Sequence, residues 1–169
     1  MPTPDVDVVA MVQVLLDHEV DFVIIGGFAI ELHAVPVPPT RDVDITPARS
    51  DANLSRLAGA LTSLDAKLRM PGEATEGLEI PGGWTAELLK EMVTVTLITT
   101  AGPLDISFLP DGTTGYDDLH ENSVLVSFGD LYLRVASLND VIRSKEAAGR
   151  EKDLIVLPAL REHARRSQR

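Results

Sequence analysis

Apolar side chains at Val8, Met11, Val12, Leu15 and Leu16 recur at the spacing of one helix face, so an amphipathic helix is expected over Val6–Glu19. Phe22-Val23-Ile24-Ile25 is apolar throughout and stops at Gly26-Gly27, the pattern of a buried strand entering a tight turn. Phe28 to His33 reads as helical again. Val35-Pro36-Val37-Pro38-Pro39 cannot continue it, because proline lacks the amide donor and restricts the residue before it. From Asp42 to Thr46 the period drops to two, which predicts a strand with Asp42 and Asp44 on one face, Val43 and Ile45 on the other, and Pro47 as its end.

Ser50 or Asp51 can cap a helix through Leu54, Leu57, Ala58, Leu61 and Leu64. Met70 to Gly83 is rich in glycine and proline and reads as a long irregular excursion of the kind that borders sites. Met92–Thr99 and Leu104–Phe108 alternate as strands around an Ala101-Gly102-Pro103 turn and are expected to pair. Val124–Phe128 and Leu131–Val135 flank Gly129-Asp130 as a hairpin. Ser137 with Asp140 three residues on marks a helix start, Gly149 its close, and Glu151–Arg166 a last helix with a bend at Pro158. The order gives an α/β (α+β) fold with a mixed central sheet flanked by helices, in a single domain over residues 1–169.

Composition narrows the function classes. With 169 residues, 44% of them hydrophobic, the chain can bury a core unaided. The absence of cysteine excludes disulfides and thiolate metal sites, and a cytoplasmic setting is expected. Met1–Asp5 lacks the basic start of a signal peptide, and no apolar run approaches the roughly 20 residues of a membrane span. A soluble protein with no membrane contact is therefore expected. The net charge of −11 opposes general nucleic-acid binding, but residues 1–142 carry 7 basic and 22 acidic side chains, and 143–169 carry 8 and 4. That asymmetry allows a local phosphate site near the C-terminus, although a basic helical tail is also commonly a solvated face.

One constellation carries chemistry: a strand, a Gly-Gly turn, a short helix, then Asp-x-Asp on a second strand. Gly26 and Gly27 let backbone amides approach a phosphate without interference from a Cβ, and the following helix points its amides the same way. Asp42 and Asp44 project from one strand face and can share a hard cation with phosphate oxygens. A third carboxylate, Asp105, could hold a second metal or take the proton from an attacking hydroxyl. Alone, each signal has an ordinary reading as a structural turn or a solvated strand face. Arg41 precedes the pair and points to the opposite face, where a structural ion pair competes with nucleotide contact. Arg150 and Lys152 flank Gly149 and could reach phosphate or simply line a solvated turn. His33 is read as a helix end, Trp84 as a loop anchor packed on the core with stacking on a base as its rival, and Thr40 as a hydroxyl beside the site open to modification.

Gly26-Gly27-Phe28-Ala29 followed by Thr40-Arg41-Asp42-Val43-Asp44-Ile45 resembles the signature of the polymerase-beta-like nucleotidyltransferase superfamily, nearest to its AbiEii/MenT-like toxin branch. The likeness extends through Asn53–Leu57 with Ala60-Leu61, Leu104-Asp105-Ile106, Ala136-Ser137-Leu138 to Lys145, and Gly149–Leu154. It implies a nucleotidyltransferase fold completed by the C-terminal helices at about 137–167, and Asp42 and Asp44 as ligands of magnesium, or manganese in its place. It implies Gly26 and Gly27 as the turn for a nucleoside triphosphate (NTP), Lys145 as the cation neutralising it, and Asp153 as a residue beside the site orienting Lys145 or a substrate group. It further implies a toxin of a toxin–antitoxin pair that transfers nucleotides to tRNA and blocks translation, held in check by an antitoxin protein. Rival acceptors are a small aminoglycoside-like compound or a protein hydroxyl, and the rival class is a non-catalytic nucleotide-binding module. Two departures stand out: Gly-Gly replaces the Gly-Ser of many members, and the connector from Gly27 to Asp42 is long and proline-rich.

Overall fold

The computed structural model describes residues 6–70 and 77–169. Helix α1 (Val8–Asp17), capped by the Asp7 carboxylate, leads into strand β1 (Phe22–Ile25) and helix α2 (Gly26–Leu32). The connector then enters β2 (Val43–Pro47), and Ser50 caps α3 (Asp51–Ser63). Next come β3 (Lys67–Arg69), β4 (Gly77–Leu78), α4 (Ala86–Lys90), β5 (Thr94–Thr99), β6 (Gly102–Ser107) and α5 (Tyr116–Glu121). The hairpin β7 (Val124–Phe128) and β8 (Leu131–Val135) precedes α6 (Leu138–Ala148) and α7 (Glu151–Ser167).

The eight strands among the described residues form one mixed sheet in the order β4-β3-β5-β6-β2-β1-β8-β7. The β2–β6 and β1–β8 pairs are parallel and the others antiparallel. The period of two divides the central strands. Val43, Ile45, Val95, Leu97, Leu104 and Ile106 are buried in a core shared with Met11 and Leu15 of α1 and Leu54, Leu57 and Leu61 of α3. Residues between them point to the opposite face.

Asn53 of α3, fully buried, locks the strand ends together. Its Oδ1 accepts the Asp21 amide at 2.8 Å, and its Nδ2 donates to the carbonyls of Asp21 and Ala48. A buried amide satisfied this fully fixes one arrangement of backbone. It sets β1 against β2, and so Gly26 against Asp44.

Several sequence expectations shift. Helix α2 begins at Gly26 rather than Phe28, so the two glycines form its first turn. Strand β2 starts at Val43 and includes Pro47 as its last residue. Gly102 belongs to β6 rather than to the preceding turn. The Met70–Gly83 excursion contains β4, paired with β3, while residues 71–76 lie outside the described residues, as do Met1–Asp5. Helix α7 runs on through the exposed Pro158. No helix among the described residues is long and apolar enough to cross a membrane.

Candidate active site

The polar positions of β2, β5 and β6 make the floor of a cleft of about 570 Å³. Asp44 lies opposite Asp105 across the parallel β2–β6 pair, and Asp105 lies opposite Thr96 across β5–β6. Thr94 and Ser107, also register partners, extend this floor. One wall comes from Gly26, Gly27, Thr40 and Asp42, and the facing wall from Asp140, Ser144, Lys145, Arg150, Lys152 and Asp153 of the α6–α7 corner. Asp42, Asp44, Asp105, Lys145, Asp153, Gly26, Gly27 and Arg150 therefore share one cleft, whereas Arg41 is exposed and does not line it.

Gly26 has φ +67°, and a Cβ there would collide with the Asp44 carboxylate. Both facts require glycine. At Gly27 a Cβ would lie 3.0 Å from the Thr40 Cβ, so the wall formed by the proline-rich connector also depends on a missing side chain. Thr40 is pinned by its amide donating to the Glu31 carboxylate, and its Oγ1 lies 3.3 Å from the Asp42 amide.

The α6–α7 corner is built around Asp153, which has no exposed surface. Gly149 closes α6 in the left-handed conformation at φ +61°. Lys145 Nζ donates to Asp153 Oδ1 at 3.0 Å, and Arg150 Nε donates to Oδ2 at 2.6 Å. Burial alone would raise the Asp153 pKa, but these hydrogen bonds from Arg150 and Lys145 outweigh it and hold the carboxyl below its ordinary range. Asp153 thus fixes Lys145 at the cleft wall.

Asp44 behaves oppositely. Burial, then the charge of Asp105 and that of Asp42, push its pKa up to about 8, against a smaller pull from Lys145. Asp105 is raised too, by burial first and then by Asp42, and its buried Oδ1 has no hydrogen-bond partner among the described residues. Among the described residues no three His, Cys, Asp or Glu side chains form a ready metal cage. Asp42 leans instead toward Arg69 of β3, at 3.8 Å. The donor set nonetheless suits a hard divalent cation: oxygen ligands only, mutually repelling, with one buried oxygen lacking a partner.

No protein-family model matches the chain, and no curated protein sequence does. Solved structures do. The lincomycin-bound lincosamide antibiotic adenylyltransferase LnuA superposes with a TM-score of 0.61 at 13% identity, covering 94% of this chain and 98% of that one. The fold is that of the nucleotidyltransferases. A Thermotoga maritima protein provisionally described as a nucleotidyltransferase matches this nucleotidyltransferase fold with a TM-score of 0.54 at 17% identity, over 90% of this chain and 91% of that one. The antibiotic-resistance factor ANT(2'')-Ia matches with a TM-score of 0.54 at 14% identity, over 90% and 81%.

Several cleft residues lay beyond the sequence reading. Thr94 and Thr96 were visible as the polar half of the alternating Met92–Thr99 run, but nothing local told which face they shared with Asp105. Asp111 and Asp140 line the cleft from a turn and a helix start. Arg69 sits on a three-residue strand that carries no periodic signal. Trp84 donates Nε1–H to the Ala66 carbonyl at 2.8 Å, and His33 Nε2 lies 2.7 Å from the Ala136 carbonyl oxygen.

Proposed function

We propose that this protein is a nucleotidyltransferase: an acceptor hydroxyl attacks the α-phosphate of an NTP, a new P–O bond forms, and pyrophosphate leaves. The observation that carries the reading is the Asp44–Asp105 pair on adjacent strands, facing Lys145 across one cleft and backed by a glycine that the Asp44 carboxylate requires. Asp42, Asp44 and Asp105 would hold a divalent cation, magnesium or manganese, which when bound offsets negative charge on the phosphate oxygens. Gly26 and Gly27 let the triphosphate approach the backbone, and Lys145, aimed by Asp153, neutralises it. Arg150 and Lys152 at the same corner add positive charge for the leaving pyrophosphate. Asp105, beside Asp44 on the cleft floor, is the carboxylate that accepts the proton of the attacking hydroxyl.

The acceptor is read as a small, hydroxylated, cationic molecule. A net charge of −11, with Asp111 and Asp140 also on the cleft wall, attracts cations and repels a polyphosphate chain. Thr94, Thr96 and Ser107 offer hydroxyl partners on the floor. LnuA, a lincosamide adenylyltransferase of similar fold, is consistent with that class.

A second reading, tRNA as acceptor for a toxin restrained by an antitoxin, is favoured by the residue likeness to AbiEii/MenT-like proteins and by Arg150 and Lys152 at the cleft. The basic side chains farther along α7 support it less, since Arg161, Arg165 and Arg166 are paired with Glu146 and Glu162.

One experiment separates the acceptors. Wild type and Asp42→Ala are incubated with manganese or magnesium and each α-labelled NTP, together with aminoglycosides, lincosamides or total tRNA. Label on a cationic antibiotic with wild type alone supports the first reading, and label on tRNA alone supports the second. Label on neither, at any nucleotide, contradicts both.

A further inference from the structure

Among the described residues, Arg69 is the cation in ion-pair contact with the Asp-x-Asp motif, through Asp42. Its Nη1 lies 3.8 Å from Asp42 Oδ1, and both side chains are 37% exposed. The position follows from the ladder: Lys67 and Leu68 pair with Ile98 and Leu97, so Arg69 continues the row toward Thr96, which pairs with Asp105, which pairs with Asp44. A long side chain at the end of β3 thereby starts in the row of Thr96, Asp105 and Asp44, and its guanidinium reaches Asp42, two residues before Asp44.

Lys145, the cation on the facing wall, is held by Asp153 at 3.0 Å and is mostly buried. Among the described residues Arg69 has no such anchor: the ion pair with Asp42 is long and about a third exposed, the kind of contact that costs little to break. We propose that Arg69 is a positioning residue that occupies Asp42 until the triphosphate arrives with its divalent cation, so that a bare cation is disfavoured and cation and nucleotide load together. This rests on the reading of Asp42 as a metal-binding carboxylate. Once a cation takes Asp42, the guanidinium is released beside the cleft, where its planar fork can pair with phosphate oxygens.

The test measures cation binding rather than turnover. Free Mn²⁺ is followed by electron paramagnetic resonance during titration of the full chain, with and without a non-hydrolysable triphosphate analogue, for wild type, Arg69→Gln, Arg69→Lys and Asp42→Asn. Thermal melts check that each variant is folded. Arg69→Gln is expected to bind bare Mn²⁺ about two- to fivefold more tightly, the range for losing an exposed ion pair. The analogue should strengthen Mn²⁺ binding less in Arg69→Gln than in wild type, and Arg69→Lys, which keeps the charge but not the planar fork, should stay close to wild type for bare Mn²⁺. Equal or weaker Mn²⁺ binding by Arg69→Gln, with binding still lost in Asp42→Asn, would overturn the role of Arg69 and leave the metal site standing. Binding that Asp42→Asn does not alter would overturn the metal reading and this proposal with it.

Discussion

Asp44 and Asp153 lie in one cleft and respond to pH in opposite senses. The Asp44 pKa is raised in the folded chain, to about 8, so the folded state holds a proton there that the unfolded chain has already lost. Its contribution to stability is full below the ordinary carboxylate range and disappears as pH climbs through about 8. Asp105 contributes in the same sense because its pKa is also raised. Asp153 is lowered, so its contribution is present above the ordinary range and is lost on acidification. In chelator, the melting temperature of wild type should therefore fall between pH 5 and pH 8.5, and Asp44→Asn should fall less, ending above wild type at the higher pH. Transfer by that variant should drop by about two to three orders of magnitude, the scale for removing a group that stabilises a transition state. Parallel melting curves for the two proteins across that interval would contradict the assignment of the alkaline limb to Asp44.

Two glycines with similar backbone angles separate conformational strain from steric need at the level of elements. Gly149 ends α6 at φ +61°, and a Cβ there meets only the Glu146 carbonyl oxygen at 3.7 Å. Gly149→Ala should cost about 1–2 kcal/mol in chemical denaturation, the penalty for an L-residue in the left-handed region. Gly26 starts α2 at φ +67° against Asp44, so Gly26→Ala adds a collision with a floor carboxylate to the same penalty. It should lose more stability than Gly149→Ala and nearly all transfer. Equal effects on activity would mean that Gly26 serves only the turn.

The long elements were legible because each had a repeated apolar face: α1, α3, β5 and the β7–β8 hairpin follow directly from spacing. The short ones were not. Strands β3 and β4 have three and two residues, and their pairing is set by the neighbouring β5, which no local pattern reveals. Helices α4 and α5, of five and six residues, are similarly too brief for a period to register. Gly-Gly signalled a turn, but its place as the first turn of α2 depends on Asp44 filling the space where a Cβ would be.

Across the whole molecule, the cleft gathers residues from every part of the chain: Gly26 near the start, Asp44 and Asp105 in the middle, Lys145 and Asp153 near the end. Motif spacing and a resemblance were enough to name these five, because carboxylates, glycines and a lysine in that order are chemically distinctive. Thr94, Thr96, Ser107 and Arg69 were hidden, since only the register of β3, β5 and β6 brings them beside Asp105. The acidic surface is a property of the whole chain and concerns the acceptor, not the transfer step.

The transfer step is tested most directly by incubating the protein with manganese, a γ-labelled NTP and an acceptor mixture of cationic antibiotics and tRNA, and measuring labelled pyrophosphate released by wild type and by Asp44→Asn. The account predicts pyrophosphate matched one for one by nucleotide joined to an acceptor, both lost in a variant that remains folded. Pyrophosphate release that survives in Asp44→Asn, or labelled orthophosphate as the direct product, would contradict it.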